Sequence, residues 1–367
     1  MTFIRSLFTV FIGCFFVASC DQSGPVKIGF IAELSGAGED TGTASLNALK
    51  LAAQQINTAG GINDRIIEII PRDDQKSPDV AQQHVREFKE LGVDAIVGPI
   101  ISSIGMAMLP VINELDIVTI SPTVSAAEFA GFRDNMFRMN STTTQNARAY
   151  ARHNIDLDRK RISIALDGEN EAFTESWYHE FLLEFDALNG RVVSKVWINV
   201  DDTPLSDIAQ KLLAENPDGI ILITNGADSA RLSKEIRKIS DDIALSAAEW
   251  AGSETLIDMG RDAVEGMELV QAYDRYDPNP RFQKFVADYT AMFDEPPGYT
   301  AVLTYDAATV LFAALKTKHP DQRLSDALVT MPPHPGLNQE LMFDQFGDGN
   351  RGIYFVTIRD GKFIHQK

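Results

Sequence analysis

Cysteine is nearly absent from this 367-residue chain: Cys14 and Cys20 are the only two. Everything after them can form no internal disulfide, build no thiolate metal site and offer no cysteine nucleophile, whatever the redox compartment. Positive charge is scarce as well, 33 Lys and Arg against 52 Asp and Glu, for a net charge of −19. Such a surface repels phosphate backbones and anionic lipid, which disfavours nucleic-acid binding and electrostatic adhesion to a membrane. The six histidines (His84, His153, His179, His319, His334 and His365) are scattered, with no H-x-x-x-H pair that would suggest zinc. No G-x-S-x-G elbow surrounds Ser102 or Ser103, because residue 101 is Ile. An exported hydrolase therefore has no nucleophile–base set to rest on. The glycines at 36, 38 and 42 miss the G-x-G-x-x-G spacing by one residue, and Glu39 and Asp40 between them would repel a pyrophosphate. Asp344, Asp348 and Asn350 lack the spacing and the closing glutamate of a calcium loop. Asp73-Asp74 could pose as paired catalytic acids, but a solvated turn before Pro78 is the expectation there. No cofactor is implied.

What is present begins with the first twenty residues. Arg5 is their only charge, an apolar run covers 7–17, and the segment closes on Val17-Ala18-Ser19-Cys20. The run is too short for a membrane-spanning helix, which needs ~20 apolar residues. A charged start, a short apolar middle and small residues at the end read as an export signal over 1–20. The last four residues resemble the bacterial lipobox. That resemblance implies lipidation of Cys20 and a chain tethered outside the cytoplasm; the alternative is an ordinary cleaved leader in which the cysteine is incidental. Asp21 resembles the signal that retains lipoproteins at the inner membrane of Gram-negative bacteria.

The remainder alternates short apolar runs with amphipathic stretches. Residues 26–31, 66–70, 95–97 and 117–120 read as buried strands, and 44–59, 79–91 and 103–115 as helices. The pattern restarts with strands at 161–166, 192–197 and 219–223 and helices at 173–188, 204–214 and 229–239. Helices at 281–293, 300–317 and 324–331 follow, then a hairpin-like pair, 354–359 and 362–365. The fold class is α/β, two doubly wound parallel-sheet lobes facing a cleft.

A series of ordered motifs carries a closer resemblance. They are Ile28-Gly29 with Leu34-Ser35-Gly36, Ile56-Asn57 with Gly60-Gly61-Ile62, Asp73-Asp74 with Ser77-Pro78, and Val97-Gly98-Pro99 with Ser102-Ser103. Further on come Ser121-Pro122, Val264-Glu265-Gly266, Tyr305-Asp306-Ala307, and Phe343-Asp344 with Gly347-Asp348. In this order, from 26 to about 361, they resemble the type I periplasmic binding proteins of the leucine/isoleucine/valine class, which feed ABC importers. The resemblance implies a three-crossover hinge, with lobe one at 25–144 plus 273–346 and lobe two at 145–272 plus 347–367. It also implies a monomer that captures an amino acid or related small carboxylate by hinge closure and delivers it to an ABC permease. A receptor of the same fold that signals without transport is the alternative.

Ser102 follows a strand and precedes an amphipathic helix, where a serine caps the helix and free N–H groups make an anion site. Ser125 stands in a similar place after Ser121-Pro122. In the resembling family these two positions, with Ser103 beside the first and a backbone N–H near Thr123, bind the α-carboxylate. Glu249 matches the glutamate that pairs with the α-ammonium, and Trp250 beside it would cover the ligand or simply pack. The side-chain pocket departs from the pattern. Thr41 stands where an aromatic lid is common, and Glu171-Ala172 replaces Tyr-Gly, while Ile100 and Ile101 keep part of an apolar wall. A more polar pocket is expected.

Overall fold

The computed structural model describes residues 24–36, 38–199 and 202–366, so Cys20, Asp21 and the export signal lie outside the described residues. The first half builds strands β1 (Val26–Ala32), β2 (Ile67–Asp73), β3 (Ala95–Val97), β4 (Thr119–Ser121) and β5 (Met136–Arg138), with helices α1 (Glu39–Thr58), α2 (Pro78–Leu91) and α3 (Ser102–Glu114) between them. The strands form one parallel sheet in the order β2-β1-β3-β4-β5. Local chemistry sets the helix ends. In α2, Ser77 accepts from Val80 N, Pro78 occupies the first turn, and Gly92 closes the helix in the left-handed region at φ 68°.

A second series follows: α4 (Thr143–Asp156), β6 (Arg161–Asp167), α5 (Glu171–Ala187), β7 (Arg191–Ile198), α6 (Leu205–Leu213), β8 (Gly219–Ile223), α7 (Gly226–Arg237), β9 (Ala244–Ala247), α8 (Glu254–Gly260) and β10 (Glu268–Gln271). The chain then returns to the first sheet with α9 (Pro280–Phe293), α10 (Tyr299–Thr317) and α11 (Leu324–Thr330), plus the small pair β11 (His334–Pro335) and β12 (Glu340–Leu341). It ends in the second sheet with β13 (Tyr354–Arg359) and β14 (Lys362–His365), giving the order β14-β13-β10-β9-β8-β6-β7. This sheet is not wholly parallel, because β13 runs antiparallel to β10 and to β14. The tight Asp360-Gly361 turn requires β13 and β14 to run antiparallel, since a parallel partner needs a long crossover.

Each sheet is covered on both faces, which is why its central strands read as unbroken apolar runs. Helices α1 and α10 bury Leu49, Ala52, Leu311 and Phe312 on one face of the first sheet. Helices α2 and α3 bury Val85, Phe88, Met108 and Ile112 on the other. Both sheets share one topology, in which the first strand sits between the second and the third. The chain therefore leaves in opposite directions from β1 and β3, and again from β6 and β8, opening a crevice at the carboxyl ends of each pair.

Three chain segments cross between the lobes, and a buried arginine joins them. Arg351 lies on the third crossing, its guanidinium 2.6 Å from the Asp306 carboxylate of α10, with side chains 0% and 1% exposed. Its Nε donates to Met139 O on the first crossing, and Nη1 reaches Ala272 O on the second at 3.5 Å. Just before Arg351, Arg138 N donates to Gly347 O and Gly349 N to Arg138 O, holding that segment against β5. The first crossing ends before Thr143, where α4 begins.

Arg351→Leu should destabilise the fold by about 3–5 kcal/mol in urea denaturation, because Asp306 is left charged and buried without its partner. Arg351→Lys should recover part of that loss, since charge returns without the fork of donors that reaches all three crossings.

Candidate functional site

The crevices of the two sheets face each other, and two adjoining cavities lie between them. The smaller, about 290 Å³, is lined by Ser102, Thr123, Ser125, Asn140, Asn170, Phe173, Glu249 and Tyr299. The larger, about 550 Å³, is lined by Glu33, Asp40, Thr41, Asp74, Lys76, Ile101 and the start of α7. Ile100 and Trp250 line both.

Gly98 delivers the first wall. It sits at φ 111°, and a Cβ there would run into the Ile31 carbonyl, so only glycine lets the chain turn from β3 toward Ser102. Ser102 is buried and opens α3, but it does not cap the helix: Ile101 holds the cap position and no side chain caps it. The Ser102 hydroxyl accepts instead from Ser125 N at 3.3 Å and Ala126 N at 3.4 Å. With its acceptor positions filled, Ser102 has its O–H proton left to give, and no acceptor takes it among the described residues. Ser125 is also buried at the cavity, before a single 3-10 turn (Ala127–Phe129) and not before a long helix, so it does not bring a helix N-terminus of its own here. Thr123 turns its hydroxyl to Ile100 O, and its N–H makes a long 3.3 Å contact with Ser121 Oγ.

Glu249 supplies the opposite wall, at the end of β9. It is 9% exposed, accepts from Asn146 Nδ2 at 2.7 Å and Trp177 Nε1 at 3.2 Å, and has no cationic partner among the described residues. Burial raises its carboxyl above the usual carboxylate range, and the two donors oppose that rise. Neither Asn146 nor Trp177 stands out in the sequence. Asn146 belongs to α4, whose buried face is half polar and shows no apolar period, and Trp177 is an indole stacked on Phe181 in a helix core.

Several expected residues play other parts. Ser103 lines neither cavity but ties the lobes: its N–H donates to Asn170 Oδ1 and its hydroxyl accepts from Ala172 N, both at 3.1 Å. Glu171 is exposed at the start of α5 and lines neither cavity. Thr41 and Ile101 do line the larger one. Asp73-Asp74 is not a solvated turn: Asp74 is 1% exposed, and burial lifts its carboxyl to about 6. Lys76 Nζ bridges Glu169 of the opposite lobe at 2.8 Å and Glu33 of its own at 3.6 Å. Together with Thr255 donating to Asp40, these contacts hold the lobes closed.

Comparison with known proteins agrees with this fold. The sequence profile of the family described as "Periplasmic binding protein" matches residues 25–362. A leucine-specific-binding protein of Salmonella typhimurium is 22% identical over 292 residues, 79% of this chain and 78% of the relative. A leucine-binding protein from Thermotoga maritima superposes with a TM-score of 0.85 at 21% identity, covering 93% of this chain and 98% of its own. A solute-binding protein of an ABC transporter from R. palustris, in complex with benzoate, also gives 0.85 at 22% identity, covering 93% and 95%.

Replacing Asn146 by Leu, or Trp177 by Phe, should push the Glu249 carboxyl further up, because each change removes a donor that favours the ionised form. Carbon-13 NMR titration of labelled glutamate would read the shift, and no movement in either variant would show that the two bonds do not hold the charge.

Proposed function

Because the chain belongs to the periplasmic binding protein family, we propose that it captures an amino acid between its lobes and delivers it to an ABC permease. The observation that carries this reading is Glu249, a buried carboxylate with two side-chain hydrogen-bond donors and, among the described residues, no cationic partner. An α-ammonium completes that charge, and the ligand's carboxylate takes the Ser102 O–H, the Ser125 hydroxyl and the backbone around Thr123 at the start of α3. Benzoate, held by the R. palustris neighbour, carries no ammonium and would leave Glu249 uncompensated. The protein works as a monomer, and release follows when the lobes rotate about the three crossings and part the Ser103–Asn170 and Lys76–Glu169 contacts. Family membership places the chain in the periplasm. The lipobox-like Cys20 would anchor it to the membrane surface, and globomycin-sensitive incorporation of labelled palmitate would test that anchoring.

Glu249→Gln should weaken binding of an amino-acid zwitterion by about 2–5 kcal/mol in calorimetry, as when one member of a buried charge pair is removed. Unchanged affinity would take Glu249 out of the site. Affinity should also fall with pH. The free carboxyl titrates above its ordinary value, and the ammonium requires the ionised form. Binding is therefore at full strength above that raised value and weakens below it, toward one proton per ligand. In Glu249→Gln this pH dependence should disappear.

A further inference from the structure

We infer that the ligand is an α-amino acid whose side chain ends in a second cation, an ammonium or guanidinium, seated in the larger cavity against Asp74. This inference rests on the amino-acid reading above and names the side chain it leaves open. The two cavities share Ile100 and Trp250 as walls, so one extended molecule can place its α-groups in the smaller and its side chain in the larger. The indole of Trp250 and the Ile100 side chain are suited to a methylene stem between two charged ends.

The larger cavity is poor company for an aliphatic side chain. Asp74 is almost wholly buried and lines it. Its Oδ1 accepts from Lys76 N at 2.9 Å, while Oδ2 has no hydrogen bond and no ion pair among the described residues. The carboxylates of Glu33 and Asp73 repel it, while His84 and the Lys76 N–H favour its charge. Lys76 does not neutralise Asp74, because its ammonium is engaged by Glu169 and Glu33. Close packing at the end of β1 maintains this arrangement. A Cβ at Gly42 would strike the Glu33 carbonyl, so glycine lets α1 begin close enough to enclose the cavity. A leucine side chain would leave Asp74 desolvated and unpaired, a glutamate would add like charge, and a terminal ammonium or guanidinium would supply the missing partner.

The approach to the site has the same sign. The outer groove, about 1430 Å³, shares Asp40 and Thr41 with the larger cavity and is rimmed by Glu39, Glu254, Asp258 and Glu295, with Arg231 as its one lining cation. A cleft lined by one sign of charge concentrates ligands of the opposite sign and speeds their entry.

The test is calorimetry on the purified protein, stripped of bound solute by unfolding and refolding, with L-arginine, L-lysine, L-ornithine, L-alanine, L-leucine and L-glutamate as probes. The basic amino acids should bind at least about tenfold more tightly than leucine or alanine, as expected when a buried carboxylate gains a charged partner. In Asp74→Asn, which keeps the acceptor for Lys76 N, the margin of arginine over alanine should collapse toward one. Thermal melting would verify the fold of this variant, and Glu33→Gln offers a second, milder reduction of the same charge. Leucine or glutamate binding as tightly as arginine, or a margin that survives Asp74→Asn, would overturn the inference. If alanine binds and is lost in Glu249→Gln while no basic margin exists, the amino-acid reading stands and this inference alone falls. If none of the six zwitterions binds, both fall.

Discussion

A guanidinium with no exposed surface joins stretches of chain that sequence distance keeps far apart. Arg351 reaches Asp306, Met139 and Ala272 from the third crossing, so a single side chain touches all three connections between the lobes and the helix that anchors them. Ser141 donates its hydroxyl to Arg351 O and closes the arrangement from the first crossing. Burying such a pair has a large desolvation cost, which its mutual attraction and the surrounding hydrogen bonds offset. What the pair contributes is position: with the crossings fixed to one another, the two crevices can meet only face to face. The geometry of the site depends on that.

Charge then divides the labour inside the cleft. At one end the protein presents hydrogen-bond donors, the Ser102 hydroxyl at the start of α3 and the Ser125 hydroxyl beside it after β4. At the other it presents a carboxylate, Glu249, whose donors hold it in place without balancing its charge. A zwitterion satisfies both ends at once, and water satisfies neither as well once the lobes exclude it. The contacts that close the lobes include polar ones: Ser103 with Asn170 and Ala172, Ala127 N with Ser176, Lys76 with Glu169, Asp40 with Thr255. Contacts of this kind have good partners in water too, so a hinge that must open repeatedly is better served by them than by an apolar seam.

Much of the fold was legible because both sheets are buried on two faces. Runs such as 26–31 and 219–223 admit little but a central parallel strand, and signals such as Ser77, Pro78 and Gly92 marked the ends of α2. Helix α4 was not legible. Its buried face includes Thr143, Asn146, Tyr150 and Asn154, each useful only through a partner elsewhere, such as Glu249 for Asn146 and Ala247 O for Tyr150. The short strands β5, β9 and β10 were missed for a related reason: three or four residues carry too little pattern to stand alone. Among site residues, Ser102, Ser125, Thr123, Glu249 and Trp250 come together, whereas Ser103 became a tie between lobes and Glu171 faces solvent.

Sequence alone determined that this is an α/β chain of two strand–helix series, strongly acidic and with no cysteine after residue 20, because hydrophobic period, turn residues and composition act locally or additively along the chain; the likeness to binding proteins rested on its ordered motifs. Only the tertiary structure decided which polar residues would be buried without a partner. Asp74 reads as part of a wet turn and lies sealed in a cavity wall; Glu249, singled out in the sequence only by resemblance, lies beneath an asparagine and an indole. Whether a carboxylate is solvated or buried depends on what other segments cover it, and at Glu249 those segments lie 103 residues away for Asn146 and 72 for Trp177.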